Sequence, residues 1–239
     1  MVLNMAQPFF RFKQFTIRHD RCAMKVTTDA CLFGAWCAEA LRSGPPVELL
    51  DIGTGTGLLS LLIAQQCDVR IDAVEIDPEA EAQAAENIAA APFGAIRIIG
   101  GDILATPLPQ YGAIVSNPPF YESEIEPEGG ARSIAHHSGG LRWAPLFAFL
   151  KAHLKESGTA FLLLPYKRRG DLARLLQEQD LSVQAVATVH PTPGHEAARL
   201  MVRLGHESAT VQEEVIYIKE GDGYSPRFVD LLRPYYLYL

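Results

Sequence analysis

The clearest chemistry in this chain sits in four residues, Asn117-Pro118-Pro119-Phe120. An exocyclic amine conjugated to a purine ring is a poor nucleophile, because its lone pair is delocalised into the ring. An Asn side-chain oxygen and the Pro118 carbonyl can each accept one of its N–H bonds. The nitrogen then pyramidalises and can aim its lone pair at an electrophile. No residue of the stretch is an activating base, so the electrophile must be strong, and a methyl on a sulfonium would serve. Phe120 can stack on the ring, an interaction of about 1–3 kcal/mol per base. An ordinary Asn-Pro turn carrying a surface Phe is the competing reading, and the four residues alone leave the two about even.

The elements around the stretch shift that balance. Ala113–Ser116 is an apolar run after the turn residue Gly112 and reads as a short buried strand. The two prolines cannot extend a sheet ladder and make a stiff turn. Asn117 therefore stands at the carboxyl end of a strand, the edge where open α/β sheets bind ligands. Upstream, Ser43-Gly44-Pro45-Pro46 breaks the chain before a buried strand, Val47–Ile52. Gly53-Thr54-Gly55-Thr56-Gly57 follows, then a helix from Leu58 to Gln66. Strand, glycine turn and helix in that order open a nucleotide-binding βαβ unit. Leu58 occupies the third glycine position of a dinucleotide fingerprint, which disfavours a nicotinamide-dependent oxidoreductase. Asp51 leads the glycines, and an acid there suits a cationic or amine-bearing ligand better than a pyrophosphate.

A second strand, Val69–Ile76, ends in Glu75-Ile76-Asp77, and Glu75 lies 20 residues after Gly55, where an acid can bind ribose hydroxyls. Pro78 suits the first position of a helix running to about Ala91. A third strand, Ile96–Ile99, leads to Gly101-Asp102, whose carboxylate can accept from an adenine amino group. Three strand-end acids in a row are hard to explain in a noncatalytic RNA-binding module.

Residues 9–25 mix aromatics with Arg11, Lys13, Arg18, Arg21 and Lys25 against the single acid Asp20. Gln14–Arg18 reads as an edge strand. Interleaved basic and aromatic residues suit RNA contact, with a solvated surface hairpin as the alternative. Thr27-Thr28-Asp29 caps a helix over Ala30–Leu41, and a helix N-terminus can hold a carboxylate. The polar stretch Tyr121–Leu141 is long for a loop and directly follows the catalytic turn, so it reads as a substrate lid. Arg132, His136 and His137 are its basic members; the histidines lack a metal partner set. Trp143–Leu154 is an amphipathic helix. Gly158 leads into the strand Thr159–Leu164, which Lys167, Arg168 and Arg169 close with three positive charges suited to phosphate. A helix over Asp171–Gln179 precedes strands near Ser182–His190, Ala198–Gly205 and Glu213–Lys219, the last two spaced like a hairpin with an antiparallel edge. Tyr224–Leu239 reads as a short helix with an aromatic tail that packs on the core.

At 239 residues, 48% hydrophobic and 21% charged, the chain has the composition of a globular protein with a full core. Its formal net charge of −7 means that a nucleic-acid partner must be met by a local basic patch. The four cysteines, Cys22, Cys31, Cys37 and Cys67, lack metal spacing and read as reduced thiols. No apolar run reaches membrane-span length and no signal segment opens the chain, so a cytoplasmic protein is expected, with Met1 or Met5 as its start.

The ordered set Asp51-x-Gly53-x-Gly55-x-Gly57, Glu75-x-Asp77, Gly101-Asp102 and Asn117-Pro118-Pro119-Phe120 resembles the class I S-adenosylmethionine-dependent methyltransferases that modify amino nitrogens. Phe12-Lys13-Gln14-Phe15, His19 through Val26, and Thr28-Asp29 with Gly34-Ala35-Trp36 resemble more narrowly the bacterial tRNA1(Val) adenine-37 N6-methyltransferase family. Tyr224-Ser225, Phe228 and Tyr235-Tyr236-Leu237 are similar to that family's tail. The resemblance implies an α/β, Rossmann-like fold with a mostly parallel seven-stranded sheet, helices on both faces and an antiparallel edge strand. It divides the chain into an N-terminal extension (1–46), the methyltransferase domain (47–219) and a C-terminal helix and tail (220–239). It implies S-adenosylmethionine as cofactor, a tRNA substrate, no metal and no membrane, and a monomer is expected. Gly53, Gly55 and Gly57 would cradle the methionine portion with Asp51, while Glu75 with Asp77 would take the ribose and Asp102 the adenine. Lys25, Thr28 and Asp29 would close over the methionine end. Asn117 and Pro118 would orient the target amine, with Pro119 in the turn and Phe120 on the target base. The family's pattern leads one to expect an arginine-rich stretch where this chain has His136-His137. Adenine methyltransferases of ribosomal RNA or DNA share the catalytic turn and stay open. Protein N5-glutamine methyltransferases share it too, but they want a helical N-terminal domain larger than the roughly 46 residues that precede the first strand.

Overall fold

A computed structural model describes residues 7–45, 47–118 and 143–239. The chain opens with β1 (Phe9–Arg11) and β2 (Thr16–Arg18), then α1 (Thr28–Arg42), β3 (Val47–Ile52) and α2 (Leu58–Ala64). β4 (Val69–Glu75), α3 (Pro78–Ala89), β5 (Ile96–Gly100) and β6 (Tyr111–Ser116) follow. After α4 (Trp143–His153) and β7 (Leu154–Pro165), one 3-10 turn (Tyr166–Arg168) leads into α5 (Arg169–Gln179). β8 (Ser182–His190), β9 (Arg199–Gly205), β10 (Gln212–Tyr217), β11 (Lys219–Glu220), β12 (Gly223–Tyr224) and α6 (Pro226–Leu232) complete it.

The main sheet has the order β10-β8-β9-β7-β6-β3-β4-β5. Every pairing in it is parallel except those of β9 with β7 and β8. The mostly parallel α/β sheet expected from the sequence is present, with two differences of detail. It has eight strands rather than seven, and the antiparallel strand is interior rather than at an edge. β8 occupies the place beside β9 that a β9–β10 hairpin would have filled, so β10 adds to the free side of β8 and runs parallel to it. Gln14–Arg18 is not an edge of this sheet either; among the described residues β2 pairs with β1, as a separate hairpin.

Alternate residues of the strands feed two cores, as the period of two requires. Leu49, Ala113, Val115, Phe161 and Leu163 face a cluster built with α1, α2, α6 and the β1–β2 hairpin. Leu50, Ile114, Leu162 and Leu164 face the other, built with α4 and α5. α1 is capped by the Thr27 hydroxyl, which accepts from Ala30 N at 3.4 Å, as the Thr27-Thr28-Asp29 pattern implies. It lies close on α2 because Gly34 has no side chain; a Cβ there would meet Leu62 Cδ1 at 2.6 Å. Two glycines expected just ahead of strands lie inside them instead. Gly112 sits within β6 at a bulge, where a Cβ would come within 3.3 Å of Val47 Cβ. Gly158 lies inside β7, at the irregular stretch where the partner register jumps from Leu154 to Thr159, and Leu154 fills the space a side chain would need.

α6 and the tail close the first core. Phe228 and Tyr235 are buried, Tyr224 stacks on Phe228, and Phe12 bridges Tyr236. Arg227 joins Glu39 of α1 to Glu214 of β10, and Glu214 also accepts from Trp36 Nε1 at 2.6 Å. All four cysteines are free, and burial pushes the thiols of Cys22 and Cys67 up to about 11 and that of Cys31 to about 12.

Candidate active site

The carboxyl ends of β3, β4, β5 and β6 bring the predicted residues to one edge. Gly53, Gly55 and Gly57 all have positive φ, at 68°, 57° and 80°, which only glycine adopts readily. Gly53 N and Thr54 N both donate to Val74 O, at 2.9 and 3.0 Å, pinning the turn to β4. No atom lies within 4 Å of a Cβ built on Gly53 or Gly55, so the turn borders open space. Beneath it, Asp51 is fully buried; its Oδ2 accepts from the hydroxyls of Thr54 and Ser60, each at 2.7 Å. Among the described residues its Oδ1 is buried without a partner. Burial pushes the carboxyl up to about 6, against the two hydroxyl bonds, and Glu75 nearby adds to the rise.

Glu75 is buried and already engaged: Oε2 accepts from Gly55 N at 2.8 Å, Oε1 from Ile76 N and Asp77 N. Asp77 caps α3 through Glu79 N at 3.0 Å, with Pro78 in the first turn as expected. Asp102 closes an Asx turn on Leu104 N at 2.9 Å. Sequence reasoning passed over Ile76 and Leu104, which follow these acids and leave 64% and 50% of their surface exposed. The missed signal was a large apolar residue one or two positions after a strand-end acid.

Asn117 follows β6, and Ser116 holds that strand end to β3 by donating to Ile52 O at 2.9 Å. Among the described residues Asn117 Oδ1 is buried without a partner, and Nδ2 donates to Met24 Sδ at 3.6 Å. Met24 belongs to a strap, residues 19–26, that crosses this edge. Lys25 Nζ donates to His19 O at 2.6 Å, tying the strap to itself. Cys22 feels the charges of Glu75 and Asp77, which places the strap's other part beside the β4 acids. Two buried residues of α3 hold the strap and the hairpin. Gln83 takes Arg21 N at 3.1 Å and donates to Asp20 at 2.8 Å; Asn87 accepts from Arg18 N and donates to Arg18 O and Thr56 O, all at 2.9 Å. Thr28 opens α1, and Asp29 in its first turn pairs with Arg199 Nε at 2.6 Å, a partner the sequence did not announce.

The basic residues divide. Lys13 Nζ donates to Arg233 O at 2.6 Å and so fastens the tail of α6. Arg21 pairs with Glu86, and Arg11 stands over the Phe9 ring. Arg18 is exposed on β2. Lys167, Arg168 and Arg169 stand past the end of β7, on the same edge as Asn117, within a helical turn rather than a loop. Arg168 pairs with Asp171 and lies over Trp143 at 4.5 Å, and Arg169 lies over Tyr166 at 4.6 Å. Pro119, Phe120, Arg132, His136 and His137 lie outside the described residues. Among the described residues no cluster of His, Cys, Asp or Glu could hold a metal, and no helix is long and apolar enough to cross a membrane. A cavity of about 760 Å³ opens at the opposite edge of the sheet, where Glu48 is bound by both Arg70 and Lys155. It is far from the strand-end acids and takes no part in the site.

A family model described as "Methyltransferase small domain" matches residues 37–139. The tRNA1(Val) (adenine(37)-N6)-methyltransferase of Aeromonas hydrophila is 38% identical over 232 residues, covering 95% of this chain and 97% of its own. The protein of the same name from Parabacteroides distasonis is 35% identical, covering 98% and 99%. Among solved structures, a "predicted O-methyltransferase" from Agrobacterium tumefaciens superposes with a TM-score of 0.60 at 16% identity, over 86% of this chain and 96% of that one. The ribosomal protein L11 methylase of Lactobacillus delbrueckii gives 0.56 at 17% identity, over 79% and 83%. At such identities the two structures speak for the fold alone.

Proposed function

The chain belongs to the tRNA1(Val) (adenine(37)-N6)-methyltransferase family, and we propose that it methylates N6 of an adenine in tRNA, adenine 37 of tRNA1(Val), using S-adenosylmethionine. The observation that carries the reading is the buried Oδ1 of Asn117, without a partner among the described residues, at the strand end beside the glycine turn. A buried acceptor with no donor costs about 1–3 kcal/mol, which a substrate N–H would recover.

The residues present fit the cofactor. Asp51 Oδ1, equally unpartnered and buried, suits a cationic amine, and the turn over it leaves room at Gly53 and Gly55. We assign Glu75 with Asp77 to the ribose side and Asp102 to the adenine, with Ile76 and Leu104 offering apolar faces to a flat ring. Glu75 already accepts from Gly55, Ile76 and Asp77, so a ribose hydroxyl would use its remaining acceptor capacity. Asp29 keeps its pair with Arg199, so its part at the methionine end is to set the N-terminus of α1 rather than to bind by charge. S-Adenosylmethionine when bound supplies a methyl on a cationic sulfur. Asn117 Oδ1 and the Pro118 carbonyl accept the two N–H bonds of the target amine and turn its lone pair toward that methyl. Direct displacement follows, and the surplus proton leaves to water. The adenine must be unstacked to reach Asn117, which is least costly in a single-stranded loop.

The test is methyl transfer from labelled S-adenosylmethionine to unmodified bulk tRNA, followed by nucleoside mass analysis. N6-methyladenosine is expected with the native chain and not with Asn117→Ala, which should still bind cofactor. Label on ribosomal RNA, DNA or protein, with none on tRNA, would overturn the substrate assignment and leave the reaction class standing.

A further inference from the structure

The amine-orienting step has a requirement that Asn117 does not meet alone. A primary amide has an acceptor end and a donor end of nearly equal size, and only the acceptor end can take a target N–H. Turned the other way, Nδ2 meets the target amine donor to donor. A neighbour that favours one orientation before the base arrives spares the site that reorientation.

Met24 is placed to choose. Its Sδ is 3.6 Å from Asn117 Nδ2, while among the described residues Oδ1 stays buried without a partner. A thioether sulfur accepts weakly and donates nothing. It tolerates the NH2 end of the amide beside it, whereas the oxygen end would set lone pair against lone pair. Met24 is also held where it is. It lies on the strap whose neighbours are fixed from α3 by Gln83 and at Lys25 by the His19 carbonyl.

We propose that Met24 is a positioning residue for the methyl transfer, holding the Asn117 amide with its oxygen free for the target amine. The inference rests on the adenine-N6 reading above and adds a residue to it.

The test compares Met24→Leu and Met24→Lys with the native chain on unmodified tRNA, reading kcat, KM for tRNA and the cofactor Kd. Leu keeps the bulk and removes the weak acceptor, so kcat should fall about two- to fivefold, the lower part of the range for one hydrogen bond, with KM and Kd unchanged. Lys brings a donor that seizes Asn117 Oδ1, and kcat should fall well below that of the Leu variant. The decisive comparison is in the Asn117→Asp background, where the carboxylate has two like oxygens and nothing to orient. There Met24→Leu should have no further effect on kcat. An equal loss in both backgrounds would make Met24 a structural residue of the strap and overturn the proposal. Should Asn117→Asp turn over too slowly to read, the kcat order Met, Leu, Lys at constant cofactor Kd supports it, and Leu equal to native overturns it. A native chain with no activity on tRNA would instead strike at the function itself.

Discussion

Asp51 carries a buried charge with one oxygen satisfied twice and the other not at all, and this has two opposite consequences with pH. Burial raises its carboxyl to about 6, above the ordinary carboxylate range. The folded chain therefore holds the proton more tightly than the unfolded one. The stability this contributes is full below about pH 4 and is lost as pH rises toward about 6. Cofactor binding runs the other way, since a cationic amine wants the carboxylate; its Kd should weaken by up to about tenfold per pH unit below 6. Thermal melts and cofactor titrations from pH 4.5 to 7.5 read both trends, and Asp51→Asn should flatten both. A cofactor Kd unchanged between pH 7 and pH 5 would show that Asp51 does not meet the amine. At Gly55 the backbone decides. Alanine at its φ of 57° costs about 1–2 kcal/mol, so Gly55→Ala should lower the melting temperature by a few degrees and weaken cofactor binding. At this scale the glycines, the strand-end acids and Asn117 were legible because each type is chosen by backbone or charge. Met24 and Arg199 were not. Their partners lie 93 and 170 residues away, and nothing in their own neighbourhood marks the pairing.

At the scale of elements, α3 is the part that joins the basic N-terminal hairpin to the glycine turn. Asn87 alone satisfies both backbone groups of Arg18 and the carbonyl of Thr56. Asn87→Ala leaves three polar groups to find other partners, a loss of about 1–3 kcal/mol for each one that stays buried and unpaired. Its expected signature is local: amide exchange should quicken across residues 16–25 and 54–57 more than in β3 or β6, with weaker cofactor binding. Uniform destabilisation of the whole sheet would show that the hairpin and turn are held by other contacts. The helices and strands were readable from periodicity and caps, with Thr27, Pro78 and the glycine turn marking starts where the structure has them. Gly112 and Gly158 misled for one physical reason. Glycine breaks a strand when it is needed for a turn, but it also sits inside one where a neighbour's side chain takes its space, and a sequence does not distinguish the two. The order of the last strands was equally hidden, because β8, β9 and β10 compete for the same free edge and only packing decides which pair.

The whole molecule sets a net charge of −7 against a polyanionic substrate, so binding must depend on where the positive charges gather. The parallel strands collect the ends of β3 to β7 at one edge, and the cations past β7 stand on the same edge as Asn117. In the N-terminal segment Lys13 fastens the tail and Arg21 pairs with Glu86. The sequence makes that segment the most basic of the chain, yet in the fold much of its charge is committed within the protein. Because they share the sheet edge with Asn117, the cations past β7 should carry more of the RNA binding. Arg168 is unsuitable for testing this, since it pairs with Asp171 and packs on Trp143; removing it would loosen α4 and α5 together. Lys167→Gln with Arg169→Gln leaves that packing intact. Each phosphate contact to a single-stranded segment contributes about 0.7 to the slope of log affinity against log salt. The double variant should therefore bind tRNA more weakly at low salt, with a slope shallower by about one to one and a half units and an unchanged cofactor Kd. The double variant Arg11→Gln with Arg18→Gln, on the hairpin, should alter the slope less. If the hairpin pair flattened it more, the RNA would lie across the β1–β2 side of the molecule, and the path of the anticodon loop to Asn117 would have to run over the strap rather than past β7.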